Sequence, residues 1–304
     1  MEIQWPLILF TFFNCLAGGI FLVQGILTLA GKGKQMQLAS CVSAIVALAV
    51  GGLAVFFHLQ HPLRMLNGFG HLSSGITIEL IFVIVFAIAV VLYFLMMRRS
   101  EEGVAPKWCA VVAIVVSLVL PFVTGESYLM AAIPVWNTML LPIYYVVATF
   151  MLGGFAAMII AAVTKCEDAV KLASTVAFIG TVVTAIVTVV YAVAISGMGS
   201  EYTEMEYYFD PTLPDVAMRQ AEAVTAAIMT GEHAMAFWLG AVVIGCAVPA
   251  VLSGLVMVGK ISADKALVVA IVAIVCAIIG TIVWRVLLYE VAVNALIQFQ
   301  WAME

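Results

Sequence analysis

The chain has 304 residues, 65% of them hydrophobic and 10% charged, with a formal net charge of −5, and its mean hydropathy is +1.21. A soluble domain is about half apolar and about a quarter charged, so this composition excludes a water-soluble globule and points to lipid as the solvent. No basic stripe accompanies the small acidic charge, which excludes nucleic acid as a partner. A hydrocarbon core of about 30 Å takes about 20 consecutive apolar residues to span as a helix. Stretches of that kind run at 7–30, 38–59, 76–97, 108–124, 139–164, 172–196, 235–259 and 266–290. The expected fold is an all-α membrane protein, one domain over 1–304 built as a bundle of eight transmembrane helices. The first stretch is long and has no basic leader, so it reads as a span rather than a cleaved signal.

The connectors alternate in character. Those at 31–37, 98–107, 165–171 and 260–265 are short and basic, while those at 60–75, 125–138 and 197–234 are longer and nearly free of Lys. Lys32, Lys34, Arg98, Arg99, Lys107, Lys165, Lys171, Lys260 and Lys265 fall on one side, and Arg64, Arg219 and Arg285 fall on or near the other. The positive-inside rule makes the first side cytoplasmic and turns both termini outward. The 197–234 connector is then extracytoplasmic. It opens with an acidic and aromatic run from Glu201 to Asp210. After Pro211 and Pro214, a helix-like segment from Asp215 to about Thr230 is expected, with Asp215 as its N-cap.

Chemistry-bearing residues gather on the outer side. His58 ends the second span, His61, Arg64 and Asn67 follow in the connector with His71, and Glu79 lies about one turn into the third span. Trp136 and Asn137 precede the fifth span, Glu232 and His233 precede the seventh, and Arg285, Tyr289 and Glu290 close the eighth, with Trp5 beginning the first. Ionisable groups at membrane depth are costly and mark functional sites. Such a set suits a redox lipid: a neutral histidine can take a quinol proton near neutral pH, a carboxylate just inside the membrane can take the second, and an arginine keeps that carboxylate ionised.

Other chemistries lack their residues. The six cysteines, Cys15, Cys41, Cys109, Cys166, Cys246 and Cys276, form no C-x-x-C pair, so no iron–sulfur cluster or zinc framework is expected in this chain. A haem between helices needs buried axial ligands on facing spans, whereas all four histidines sit at outer ends or in outer connectors. Neither haem nor another metal is expected. Electrons taken from a quinol must therefore leave to a cofactor on another polypeptide. No chain of ionisable groups is expected to cross the bundle.

The motifs Trp5-Pro-Leu-Ile-Leu-Phe-Thr11, Cys15-Leu-Ala-Gly-Gly19, His58-Leu-x-x-Pro62-x-Arg64 with Asn67 and Glu79 beyond, Pro134-x-Trp136, Gly153-Gly154 and Arg285-x-x-x-Tyr289 together resemble the dimethyl sulfoxide reductase membrane anchor subunit family. The resemblance runs over most of the chain. It implies a haem-free anchor in the prokaryotic cytoplasmic membrane that oxidises menaquinol at the outer face. It also implies partners on that face, a four-cluster iron–sulfur subunit and a molybdopterin catalytic subunit. His58 aligns with the family's quinol-site histidine, Glu79 with its acidic residue and Arg64 with the basic residue between them. His61, Asn67, Trp136 and Arg285 are further quinol-binding candidates. An anchor of the polysulfide or nitrite reductase type would differ in its partner. A secondary transporter would place its site at the midplane in broken helices, and only Pro142 and Pro249 favour that.

Overall fold

The computed structural model describes residues 3–59, 67, 69–196, 200–201, 223–224, 227–262 and 265–292. Among them are eight helices long and apolar enough to cross a membrane. We number these α1 (Trp5–Leu29), α2 (Gln37–His58), α3 (Gly75–Arg99), α4 (Lys107–Glu126), α5 (Leu140–Val163), α6 (Glu167–Ser196), α7 (Gly231–Met257) and α8 (Ala266–Glu290). The sequence boundaries agree except at two starts. Helix α6 begins earlier than expected because Glu167 and Asp168 occupy its first turn, where carboxylates suit the positive end of the helix dipole but carry no apolar signal. Helix α7 begins earlier because a 3₁₀ turn over Gly231–His233 leads into it.

Helix α7 is not one regular helix. Ala236–Ala247 winds as a π-helix and Val248–Met257 as an α-helix. Pro249 stands at that junction, and a proline has no N–H and crowds the carbonyl four residues back, so the tighter α ladder starts there. The wider winding brings Gly245 against α8, where a Cβ on Gly245 would lie 2.5 Å from Gly280 Cα.

Helices α1 and α5 are the most enclosed spans, and α1 packs on α2, α4 and α5. Lipid tails are as apolar as leucine, so helices in a bilayer associate through close van der Waals packing at small residues and through hydrogen bonds. Gly19 and Gly153 supply such an approach: a Cβ on Gly19 would lie 2.7 Å from the Gly153 Cα. At the basic end, polar groups tie three helices together. Ser40 Oγ donates to Gln24 Oε1 at 2.9 Å, Gln24 Nε2 donates to Thr28 Oγ1 at 3.1 Å, and Thr28 and Tyr93 share a 2.6 Å hydroxyl pair.

One expectation is corrected. The segment from Asp215 to Thr230 is not a continuous helix, because Ala223–Val224 pairs antiparallel with Ser200–Glu201; β pairing satisfies those backbone groups across the connector instead of along it. Asp215 itself lies outside the described residues.

Gly153→Leu should separate α1 from α5. Overpacking of this kind destabilises by about 3 kcal/mol or more, so the unfolding midpoint in detergent should fall clearly below that of the unsubstituted chain. An unchanged midpoint would show that the two helices do not meet there.

Candidate functional site

Successive spans are antiparallel, so one end of the bundle collects the start of α1, the end of α2, the start of α3, the end of α4, the start of α5, the end of α6, the start of α7 and the end of α8. Those residues singled out in the sequence that the structure describes lie at this end, opposite the basic connectors. Within it the structure builds two adjoining groups.

The first group centres on Glu79, buried one turn into α3. Helices α3 and α4 meet closely here, since a Cβ on Gly75 would lie 3.2 Å from Ser127 Cα. Ser127 Oγ lies 3.2 Å from Glu79 Oε2 and 2.9 Å from the Thr124 carbonyl, so its single proton can serve either acceptor. Deeper in the bundle, Asn14 Nδ2 of α1 donates to Thr124 Oγ1 at 3.2 Å. Two acceptors in this group, Glu79 Oε1 and Asn14 Oδ1, are buried with no hydrogen-bond partner among the described residues. Buried polar atoms are normally satisfied, and the Thr124 side chain also faces this carboxyl.

The second group centres on Arg285, 2% exposed near the end of α8. Its Nε donates to Thr11 Oγ1 at 3.1 Å, one terminal nitrogen donates to the Thr281 carbonyl at 3.1 Å, and the other approaches Cys15 Sγ at 3.5 Å. The guanidinium carbon lies 5.0 Å from the Tyr145 ring centre and 5.6 Å from that of Tyr144. Above it is a cavity of about 20 Å³ bordered by Leu7, Ile8, Thr11, Tyr128, Trp136, Leu141, Tyr145, Leu288 and Tyr289. Trp136 Nε1 donates to the Leu288 carbonyl at 3.0 Å, and its ring packs edge-to-face on Tyr289 at 4.9 Å and on Tyr128 at 5.9 Å.

Tyr128 joins the two groups. It borders the cavity, and its pKa is pushed well above the usual phenol range, first by burial and then by the nearby charge of Glu79. Tyr128 therefore stays neutral and able to donate at any physiological pH.

The remaining sequence candidates are placed differently. His58 is the exposed last residue of α2, and the Glu79 carboxyl bonds to Ser127 rather than to it. Asn67, His71 and Asn137 are exposed. His61 and Arg64 lie outside the described residues. His233 is half-buried, with Nδ1 3.4 Å from Glu290 Oε2 and Nε2 3.6 Å from Glu232 Oε1. Sequence reasoning missed Asn14, Thr11, Thr124, Ser127 and Tyr128. Uncharged polar residues carry little signal in one sequence, yet Thr11, Asn14, Cys15 and Gly18 follow helical i, i+3, i+4, i+7 spacing along α1, which marked an inward polar face. Asn14 and Ser117 put uncharged polar groups well inside the bundle.

A family model described as DMSO reductase anchor subunit (DmsC) matches residues 1–291. The C subunit of the anaerobic dimethyl sulfoxide reductase of Escherichia coli (strain K12) is 25% identical over 199 residues, which cover 61% of the present protein and 68% of that subunit.

Trp136→Phe keeps the ring packing and removes the bond to Leu288. A lost buried hydrogen bond costs about 1–2 kcal/mol, so the variant should unfold at lower denaturant than the parent in detergent titrations. Equal midpoints would mean that this bond does not hold the 128–136 connector on α8.

Proposed function

The chain belongs to the DMSO reductase anchor subunit family, and on that premise we propose that it binds menaquinol near the outer face of the prokaryotic cytoplasmic membrane, oxidises it, and passes the electrons to a partner iron–sulfur subunit. The observation that carries this reading is the Glu79 carboxyl. It is buried one turn into α3 with one oxygen bonded to Ser127 and the other without a partner among the described residues.

Oxidation of a quinol releases two protons and two electrons. The Glu79 carboxylate accepts one hydroxyl proton directly, since its Oε1 is the oxygen left for a ligand. His58, exposed at the end of α2, accepts the second and returns it to the outer water. Arg64 balances the charge of the carboxylate from the connector between them. His61, Asn67, Trp136 and Arg285 contact the headgroup from the connector and from the neighbouring aromatic group. Residues Ser127 and Thr124 fix the Glu79 rotamer, and Tyr128 supplies a neutral hydroxyl between Glu79 and the Arg285 cavity.

This chain holds no redox centre in the proposal, so both electrons leave to the four-cluster partner and from there to a molybdopterin catalytic subunit. The partners dock on the outer side, where the 60–75, 125–138 and 197–234 connectors provide area. The nine basic residues at the opposite end support that orientation by the positive-inside rule, with both termini outside. The chain acts as one domain, an anchor that also handles the quinol.

Glu79→Gln in the intact complex removes the proton acceptor and keeps the shape. General-base contributions amount to about 10²–10⁴-fold, so menaquinol-driven turnover should fall by about that factor. Turnover driven by a soluble dye that reduces the partner subunits directly should be unchanged. Full menaquinol activity in this variant would remove Glu79 from the reaction.

A further inference from the structure

Asn14 is fully buried in α1, well inside the helix start at Trp5. An amide at that depth in a span is costly, because lipid supplies neither donors nor acceptors. Its Nδ2 donates to Thr124 Oγ1 of α4 at 3.2 Å, and its Oδ1 has no hydrogen-bond partner among the described residues. The amide therefore turns its donor to Thr124 and leaves its acceptor idle. Backbone packing holds this contact in place. Gly18 lies one turn deeper on the same face of α1, and a Cβ there would be 3.1 Å from the Ser117 carbonyl oxygen of α4.

A threonine hydroxyl carries one proton and two lone pairs. With Asn14 donating to the Thr124 oxygen, the Thr124 proton is left for another acceptor, and the Thr124 side chain faces the Glu79 carboxyl. An ionised carboxylate only accepts, so it draws that proton, and the line from the Asn14 amide through the Thr124 hydroxyl to Glu79 runs in one direction. With the amide turned over, Asn14 Oδ1 would compete for the Thr124 proton and the carboxylate would lose a donor. Ser127 does not replace it, because its one proton is shared between Glu79 Oε2 and the Thr124 carbonyl. The other titratable groups at this end are Tyr128, Tyr145, Arg285 and Tyr289 beside the cavity, with His58 and Glu126 exposed at the ends of α2 and α4. All of them are left in place by substitutions at Asn14 and Thr124.

We propose that Asn14 is a positioning residue for Glu79: by donating to Thr124 Oγ1 it aims the Thr124 hydroxyl proton at the carboxyl and favours the ionised form that takes a proton. Its part in quinol oxidation rests on the reading of Glu79 as proton acceptor given above. The line of three side chains is tested by the titration of Glu79 itself, with or without quinol.

The test is infrared difference spectroscopy of the intact complex in mild detergent across a pH titration. The band of the protonated Glu79 carboxyl is the one lost in Glu79→Gln. Asn14→Leu and Thr124→Val remove the amide and the hydroxyl with little change of volume. Each should raise the pH at which that band forms by about one unit, a tenfold gain in proton affinity of the order that one hydrogen bond to a charged group supplies. The double variant should move no further than Thr124→Val alone, because Asn14 acts through Thr124. Thr124→Ser keeps the hydroxyl and should titrate like the parent. The acid limb of menaquinol-driven turnover should move upward with the band, and dye-driven turnover should not. A merely structural role for Asn14 would lower the unfolding midpoint and leave the titration where it was. If Asn14→Leu does not assemble, Asn14→Ala takes its place. An unmoved or lowered titration in the Asn14 variants, or fully additive shifts in the double variant, would overturn the proposal. Full menaquinol turnover in Glu79→Gln would instead remove the catalytic reading and leave the titration to decide the role of Asn14.

Discussion

Lipid gives helices no hydrophobic reason to associate, so the contact of Gly19 in α1 with Gly153 in α5 is the constraint on which the other contacts rest. With α1 drawn to the centre, each of its polar residues reaches a different neighbour. Thr11 reaches Arg285 of α8, Asn14 reaches Thr124 of α4, Gln24 reaches Ser40 of α2, and Thr28 reaches Tyr93 of α3. A shift of α1 by the width of one methyl group would strain all four at once. Leaving such groups unpaired in hydrocarbon costs several kcal/mol each (order of magnitude), so the packing and the polar contacts enforce one another.

The same geometry explains why the chemistry sits at one end. Glu79 and Arg285 carry opposite charges, yet they do not pair. Ser127 and Thr124 surround the carboxyl, while Thr11, Thr281 and the Tyr144 and Tyr145 rings surround the guanidinium. Tyr128 stands between the groups as a neutral donor. A paired Glu79–Arg285 bridge would have quenched both sites. Kept apart, each group leaves a buried polar atom without a hydrogen-bond partner among the described residues, the Glu79 Oε1 oxygen on one side and the Tyr289 hydroxyl on the other.

Much of the fold was legible in the sequence because lipid imposes length and hydropathy on every span. The eight spans followed directly, and their starts slipped only where Glu167 and Asp168 or a 3₁₀ turn replaced apolar residues. The connector did not follow, since the pairing of Ala223 with Glu201 is long-range and a proline followed by a polar, alanine-rich run looks helical locally. For the site, charged residues announced themselves: Glu79 and Arg285 stand out in apolar spans, and Trp136 and Tyr289 stand beside them. Their uncharged partners did not. Asn14, Thr124, Ser127 and Tyr128 gain meaning only from the crossing of α1, α3 and α4, which no spacing within one helix reveals. His58 shows the converse. It is conspicuous in sequence, yet the structure leaves it exposed at the end of α2 instead of against Glu79.

Reception of the quinol headgroup at the Glu79 end of the bundle is the step from which the proposed chemistry follows. Photolabelling of the membrane-bound complex with an azido-naphthoquinone, followed by peptide mapping of this chain, tests it most directly. Label is expected within 75–99 or 126–141, and it should be lost when excess menaquinol competes. Competed label confined to the basic end, near Lys32 or Lys260, would contradict it.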